Sequence, residues 1–125
     1  MVVDTSAVLA VIFREPAGPW VLERLREHER GLLMSTVNYA ETLILVANRQ
    51  SHNLDEIRDH IAFTSIRMIP PSITHAEWVA AARSRFPLNL GDCFAYALAK
   101  ERGVPVITLD RDFLRSDLQV IMPGK

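Results

Sequence analysis

The chain has 125 residues, 49% hydrophobic and 23% charged, with a formal net charge of −1 at pH 7. That length holds one domain, residues 1–125, and the composition is globular rather than disordered. A lone cysteine, Cys93, excludes an internal disulfide framework and a cysteine-rich zinc module and fits a reducing compartment, and near-neutral charge argues against a coat for nucleic acid held by a large basic surface. The start, Met1-Val2-Val3-Asp4, lacks the basic and apolar regions of a secretory signal. The longest apolar run, Ala7 to Phe13, is far short of the ~18 residues of a spanning helix. The expected location is cytoplasmic, with no membrane contact.

In chain order, Met1-Val2-Val3 predicts a brief strand, and Thr5 caps a helix through Phe13. Pro16 starts a second helix carrying Trp20, Val21 and Leu25, stopped by Gly31. Leu32 to Met34 is a second strand, and Ser35 or Thr36 opens a long helix to about Asn48. A polar loop, Arg49 to Asn53, leads to a helix from Leu54 to about Thr64. Ile66 to Ile69 is a third strand, ended by Pro70-Pro71, and Thr74 caps a helix to about Arg85. After a loop from Pro87 to Leu90, Gly91-Asp92 begins a helix to about Arg102, ended by Gly103. Val104 to Thr108 is a fourth strand, Asp110 to Leu114 a turn and short helix, and Leu118 to Ile121 a fifth strand. Such alternation implies a parallel sheet with helices on both faces, and ligands bind such sheets at the carboxyl ends of the strands.

The acids fall there. Asp4 ends the first strand, Asp110 follows the fourth, and Asp92 opens the helix feeding the fourth. Glu41 lies in the helix after the second strand, in a stripe of Val37, Glu41, Ile44 and Asn48 whose spacing predicts the inward face. Each acid has an ordinary reading: Asp4 as a cap, Glu41 in a capping box with Asn38, Asp92 as a cap or first-turn acid, Asp110 as a turn residue. Together they would repel unless divalent cations neutralise them, and hard carboxylate oxygens suit Mg²⁺ or Mn²⁺.

Val2-Val3-Asp4-Thr5-Ser6-Ala7, Ser35-Thr36 with Glu41, Gly91-Asp92-Cys93-Phe94-Ala95-Tyr96-Ala97-Leu98-Ala99 and Val106-Ile107-Thr108-Leu109-Asp110-Arg111-Asp112-Phe113 resemble PIN-domain ribonucleases. More narrowly, they resemble the VapC toxins of bacterial toxin–antitoxin pairs. The resemblance spans essentially the whole chain. It implies a PIN-like three-layer α/β/α fold around a parallel sheet of four to five strands. It implies Mg²⁺-dependent endonucleolytic cleavage of RNA, with Mn²⁺ able to substitute. Asp4, Glu41, Asp92 and Asp110 fall on the family's acidic quartet. Asp4, Asp92 and Asp110 are then the principal metal ligands, and Glu41 holds a coordinated water or a second ion. Ser6 and Thr108 would orient the carboxylates, and Asp112 matches a frequent fifth acid. The implied partners are a VapB-type antitoxin, an arginine of which often enters the site, and a second copy of the chain. Cys93 departs from the usual small or polar residue.

Two other enzyme readings are weaker. A phosphatase wants an acid where Ser6 stands, and no glycine-rich dinucleotide motif follows a strand. A catalytically silent PIN-like module, or a metal-dependent nuclease outside a toxin–antitoxin context, remains the alternative. His28, His52, His60 and His75 lack metal or triad spacing and are read as surface or packing residues. Cys93 is read as core, Trp20 and Trp78 as packing or interface, and Arg14, Arg49, Arg83 and Arg85 as a solvated face. The apolar run Ala7 to Phe13 exceeds what one buried helix face needs and predicts a groove for an antitoxin helix.

Overall fold

A computed structural model describes residues 1–49 and 54–124. The elements are β1 (Val2–Val3), α1 (Thr5–Ile12), α2 (Gly18–Glu27), β2 (Leu33–Ser35), α3 (Thr36–Ala47), α4 (Leu54–Phe63), β3 (Arg67–Ile69), α5 (Ile73–Arg85), α6 (Leu90–Arg102), β4 (Val106–Ile107) and β5 (Val120–Ile121). A 3-10 turn, Arg111–Arg115, joins the last two strands. His52 and most of the polar loop expected over Arg49 to Asn53 lie outside the described residues.

All five strands pair in parallel, in the order β3-β2-β1-β4-β5. The chain winds outward from β1 through β2 to β3, then returns to β1's other side for β4 and β5. The switch point therefore falls between β1 and β4, where Val2 pairs with Val106 and Val3 with Ile107. The Asp4 amide continues that ladder, donating to the Ile107 carbonyl at 3.0 Å. Alternation along the strands splits the core in two. Val2 and Val106 face Val79, Leu88, Tyr96 and Leu98 of the α5–α6 layer. Val3 and Ile107 face Ala7, Val21 and Ile61 of the α1, α2 and α4 layer. This is the expected three-layer α/β/α arrangement, with five strands.

Several boundaries differ from expectation, each through a cap. Asp4, not Thr5, occupies the cap position of α1, and Thr5 is its first helical residue. The second helix begins at Gly18 with Pro19 in its first turn, not at Pro16, and ends at His28 before Gly31 is reached. Ser35 caps α3, its hydroxyl accepting from the Val37 amide at 3.2 Å. Ser72, not Thr74, caps α5, and Asn89 caps α6 by accepting from the Asp92 amide at 2.8 Å. Gly103 ends α6 as expected, with a left-handed φ of 63° that glycine adopts without strain. The fourth and fifth strands are shorter than expected, each two residues.

The inward stripe of α3 is also corrected. Asn38, Thr42 and Val46 are its buried residues, and Ile44 is 60% exposed. Two of the three buried positions are polar, so hydrophobic periodicity selects the wrong face.

Candidate active site

Asp4 leaves the sheet at the end of β1, 2% exposed. Its Oδ2 accepts from the hydroxyls of Ser6 and Thr108, each at 2.8 Å. Those hydroxyls lie 3.1 Å apart, and they accept in turn from the amides of Leu109 (2.9 Å) and Asp110 (3.0 Å). The carboxylate on β1 is thereby tied to the chain leaving β4. Asp4 makes no side-chain capping bond to α1. Its Oδ1 is buried and meets no hydrogen-bond donor at bonding geometry. Burial raises the Asp4 pKa, against the lowering effect of the two hydroxyls.

Asp92 is in the first turn of α6 and 8% exposed. Burial, then the charges of Asp4 and Asp110, push its pKa up to about 7, and the charge of Glu41 acts in the same direction. The other three acids thus lie within electrostatic reach of Asp92, although the four come from four segments of the chain. Asp110 is half-buried, and its Oδ1 accepts from the Asp112 amide at 2.9 Å, capping the 3-10 turn. Asp112 itself is exposed. Glu41 is held through Oε1, which accepts from Asn38 Nδ2 at 2.8 Å and Thr5 Oγ1 at 3.0 Å. That pairing lies inside α3 and is not the capping box expected with Asn38.

The donor set is hard and anionic, which suits a divalent cation such as Mg²⁺ or Mn²⁺. The Asp4 Oδ1 accepts no protein hydrogen bond at bonding geometry, as would suit a ligand oxygen, although the Ser6 and Thr5 amides also act to lower the Asp4 pKa. Among the described residues, no group of three or more His, Cys, Asp or Glu side chains is arranged to hold a metal ion. Mg²⁺ dehydrates reluctantly and is commonly bound through one or two carboxylates, with water in its other positions. In donor chemistry the residues present fit the group.

Thr5, Asn38 and Gly91 were missed as parts of this site. Asn38 precedes Glu41 by three residues, a same-face spacing that pairs the two in the sequence, but as a capping box rather than as a side-chain amide holding the carboxylate. Arg14, Arg49, Arg83 and Arg85 are all exposed, as a solvated face requires; within it Arg83 donates to the Leu88 carbonyl at 2.6 Å, and Arg49 and Arg85 lie over the rings of Phe13 and Phe86. His75 is buried and bonds Glu101 at 2.8 Å, and Cys93 is buried, as packing roles require.

Comparison with known proteins places the chain in a family. A family model described as PIN domain matches residues 1–118. Ribonuclease VapC30 of Mycobacterium tuberculosis is 32% identical over 134 aligned residues, covering 97% of this chain and 98% of that protein. Ribonuclease VapC of Mycolicibacterium smegmatis is 31% identical over 129, covering 97% and 99%. The solved Mycobacterium tuberculosis VapC20, a Sarcin-Ricin loop cleaving toxin, shares the fold with a TM-score of 0.80 at 19% identity, covering 98% of each chain. A toxin–antitoxin complex from Klebsiella pneumoniae contains a chain with a TM-score of 0.76 at 22% identity, covering 99% of this chain and 98% of that one. The chain belongs to the PIN-domain family and groups within it with the VapC proteins.

Proposed function

We propose that this protein is a metal-dependent endoribonuclease and the toxin of a type II toxin–antitoxin pair. The observation that carries the reading is the convergence of Asp4, Glu41, Asp92 and Asp110, with Asp92 pushed up to about 7 and Asp4 keeping a buried, unpartnered oxygen. Such a cluster opposes folding unless a cation offsets it. The relatives that are 31% and 32% identical are named ribonucleases, which supports RNA as substrate.

Asp4, Asp92 and Asp110 would hold Mg²⁺ or Mn²⁺, with Glu41 completing the set. The ion, when bound, lends Lewis-acid assistance to attack of water on a phosphodiester and offsets charge on the leaving oxygen. The protein's own part is to hold the acids in place. Ser6 and Thr108 fix one oxygen of Asp4 so that the other stays available. Asp92, with its pKa pushed up to about 7 by its surroundings, would release the proton it partly holds when a cation offset its neighbours.

An apolar groove of about 690 Å³ lies beside α1, α2 and α4, lined by Val8, Val11, Ile12, Leu22, Leu25 and Ile57 among others. Its shape and chemistry suit an amphipathic helix of a VapB-type antitoxin. Structures with the same fold include VapBC2 from Rickettsia felis bound to a promoter DNA fragment, which supports such a partner. The working form is then a homodimer in a hetero-oligomer with antitoxin. Among the described residues, no helix is long and apolar enough to cross a membrane, and the proposed location is the cytoplasm. The test is incubation of purified protein with total RNA, with ends mapped. Cleavage in Mg²⁺ or Mn²⁺ that stops in EDTA is expected; undiminished cleavage in EDTA would overturn the metal reading.

A further inference from the structure

Glu41 reaches the site from the middle of α3, and its carboxylate is held from one side only. Asn38 Nδ2 donates at once to Glu41 Oε1, at 2.8 Å, and to the Gly91 carbonyl, at 3.0 Å. Gly91 is in the first turn of α6, one residue before Asp92. Asn38 is fully buried; its backbone carbonyl accepts from the Thr42 hydroxyl (2.8 Å), the Thr5 hydroxyl that donates to Glu41 lies 3.2 Å away, and its side-chain Oδ1 has no hydrogen-bond partner. The amide cannot be turned over, because that would set Oδ1 against two acceptor oxygens.

The glycine completes the arrangement. A methyl group at Gly91 would overlap the Glu41 carboxylate, lying 2.6 Å from Oε1 and 2.5 Å from the carboxyl carbon. Gly91 has no left-handed φ, so its backbone does not demand glycine. Alanine is the better helix former at such a position. A side chain there would have to push the Glu41 carboxylate out of its present place.

We propose that Asn38 is a positioning residue for Glu41, and that bare Gly91 is the seat on which its carboxylate rests. One amide joins the α3 acid to the first turn of α6, so Glu41 and Asp92 keep a fixed relation. The effect on cleavage rests on the nuclease reading above; the effect on stability rests on the geometry alone.

Two double-mutant cycles separate these. Asn38→Ala and Gly91→Ala are each made in the wild-type and Glu41→Ala backgrounds, then melted in EDTA and assayed for kcat and KM on RNA in Mn²⁺. In the wild-type background each lowers the midpoint by roughly 3–5 °C and kcat by about 10–100-fold, with KM little changed. In the Glu41→Ala background, Gly91→Ala leaves the midpoint unchanged or raises it, Asn38→Ala lowers it by less than half as much, and neither reduces residual cleavage further. Equal effects in both backgrounds would overturn the proposal, making Asn38 and Gly91 ordinary structural residues. If the wild type does not cleave in Mn²⁺, the nuclease reading falls and the EDTA cycles still decide the seat. If Asn38→Ala does not fold, the Gly91 cycle decides it.

Discussion

Asp4 has two hydroxyls on one carboxylate oxygen and no bonded donor on the other. Without a cation its charge is desolvated beside the other acids, so it opposes folding. Asp4→Asn keeps the shape, and its amide oxygen still accepts the two hydroxyls. The variant should therefore melt higher than wild type in EDTA near pH 7 while losing nearly all cleavage. A lower midpoint would mark Asp4 as a structural residue. Asp92 makes the matching claim in pH. Its folded pKa of about 7 lies above the ordinary 3.8, so the folded chain binds more protons than the unfolded one between those values. Metal-free stability should then fall as pH rises through that window. Asp4, also raised, acts in the same direction. Asp117, held low, acts only below the ordinary carboxylate range. Midpoints measured in EDTA from pH 4 to 7 should decline more steeply for wild type than for Asp92→Asn; parallel curves would remove Asp92 from the cluster.

The elements set these acids by their ends. Asp110 follows β4 and reaches Asp92 electrostatically, while Asp112 stands exposed in the 3-10 turn. Asp110→Asn should cut cleavage far more than Asp112→Asn, and its amide oxygen can still cap the turn. Equal losses would shift the assignment by two residues. Where α1 ends, Arg14 has a left-handed φ of 53°. The Arg14 amide donates to Val11 and the Glu15 amide to Ala10, the closing pattern usually completed by glycine. Arg14→Gly should raise the midpoint by about 2–4 °C, from roughly 0.5–1 kcal/mol of relieved strain. An unchanged or lower midpoint would show that the Arg14 side chain contributes more than its backbone loses. The run Ala7 to Phe13 shows the helix but not this cap, because an arginine carries no turn signal. Elements with strong punctuation are legible: Gly103 closes α6 as expected, and Ser35, one of the two starts expected for α3, is its cap. The Pro16 and Gly31 boundaries were not, since both residues lie in connecting chain outside α2.

At the scale of the whole molecule, the switch between β1 and β4 explains why acids far apart in sequence meet. Strand order is not written in local residues, but alternation with helices implied a parallel sheet, and that rule located the carboxyl-end site. Asp4, Asp92 and Asp110 could be read because each sits next to a strand end or a helix start. The surroundings of Glu41 could not, because α3 buries Asn38 and Thr42 on the face that hydrophobic patterning assigns to solvent. The groove beside α1, α2 and α4 was legible only as an excess of apolar residues in Ala7 to Phe13; α4's contribution comes from the far end of the crossover. On the proposed function, this cluster takes a divalent cation. Calorimetric titration of Mn²⁺ into EDTA-stripped wild type and Asp92→Asn, near pH 7 in buffers of differing ionisation heat, tests it most directly. Binding with proton release is expected in the wild type, and affinity at least tenfold weaker without proton release in the variant. No binding by wild type at millimolar Mn²⁺, or equal affinity in the two proteins, would contradict it.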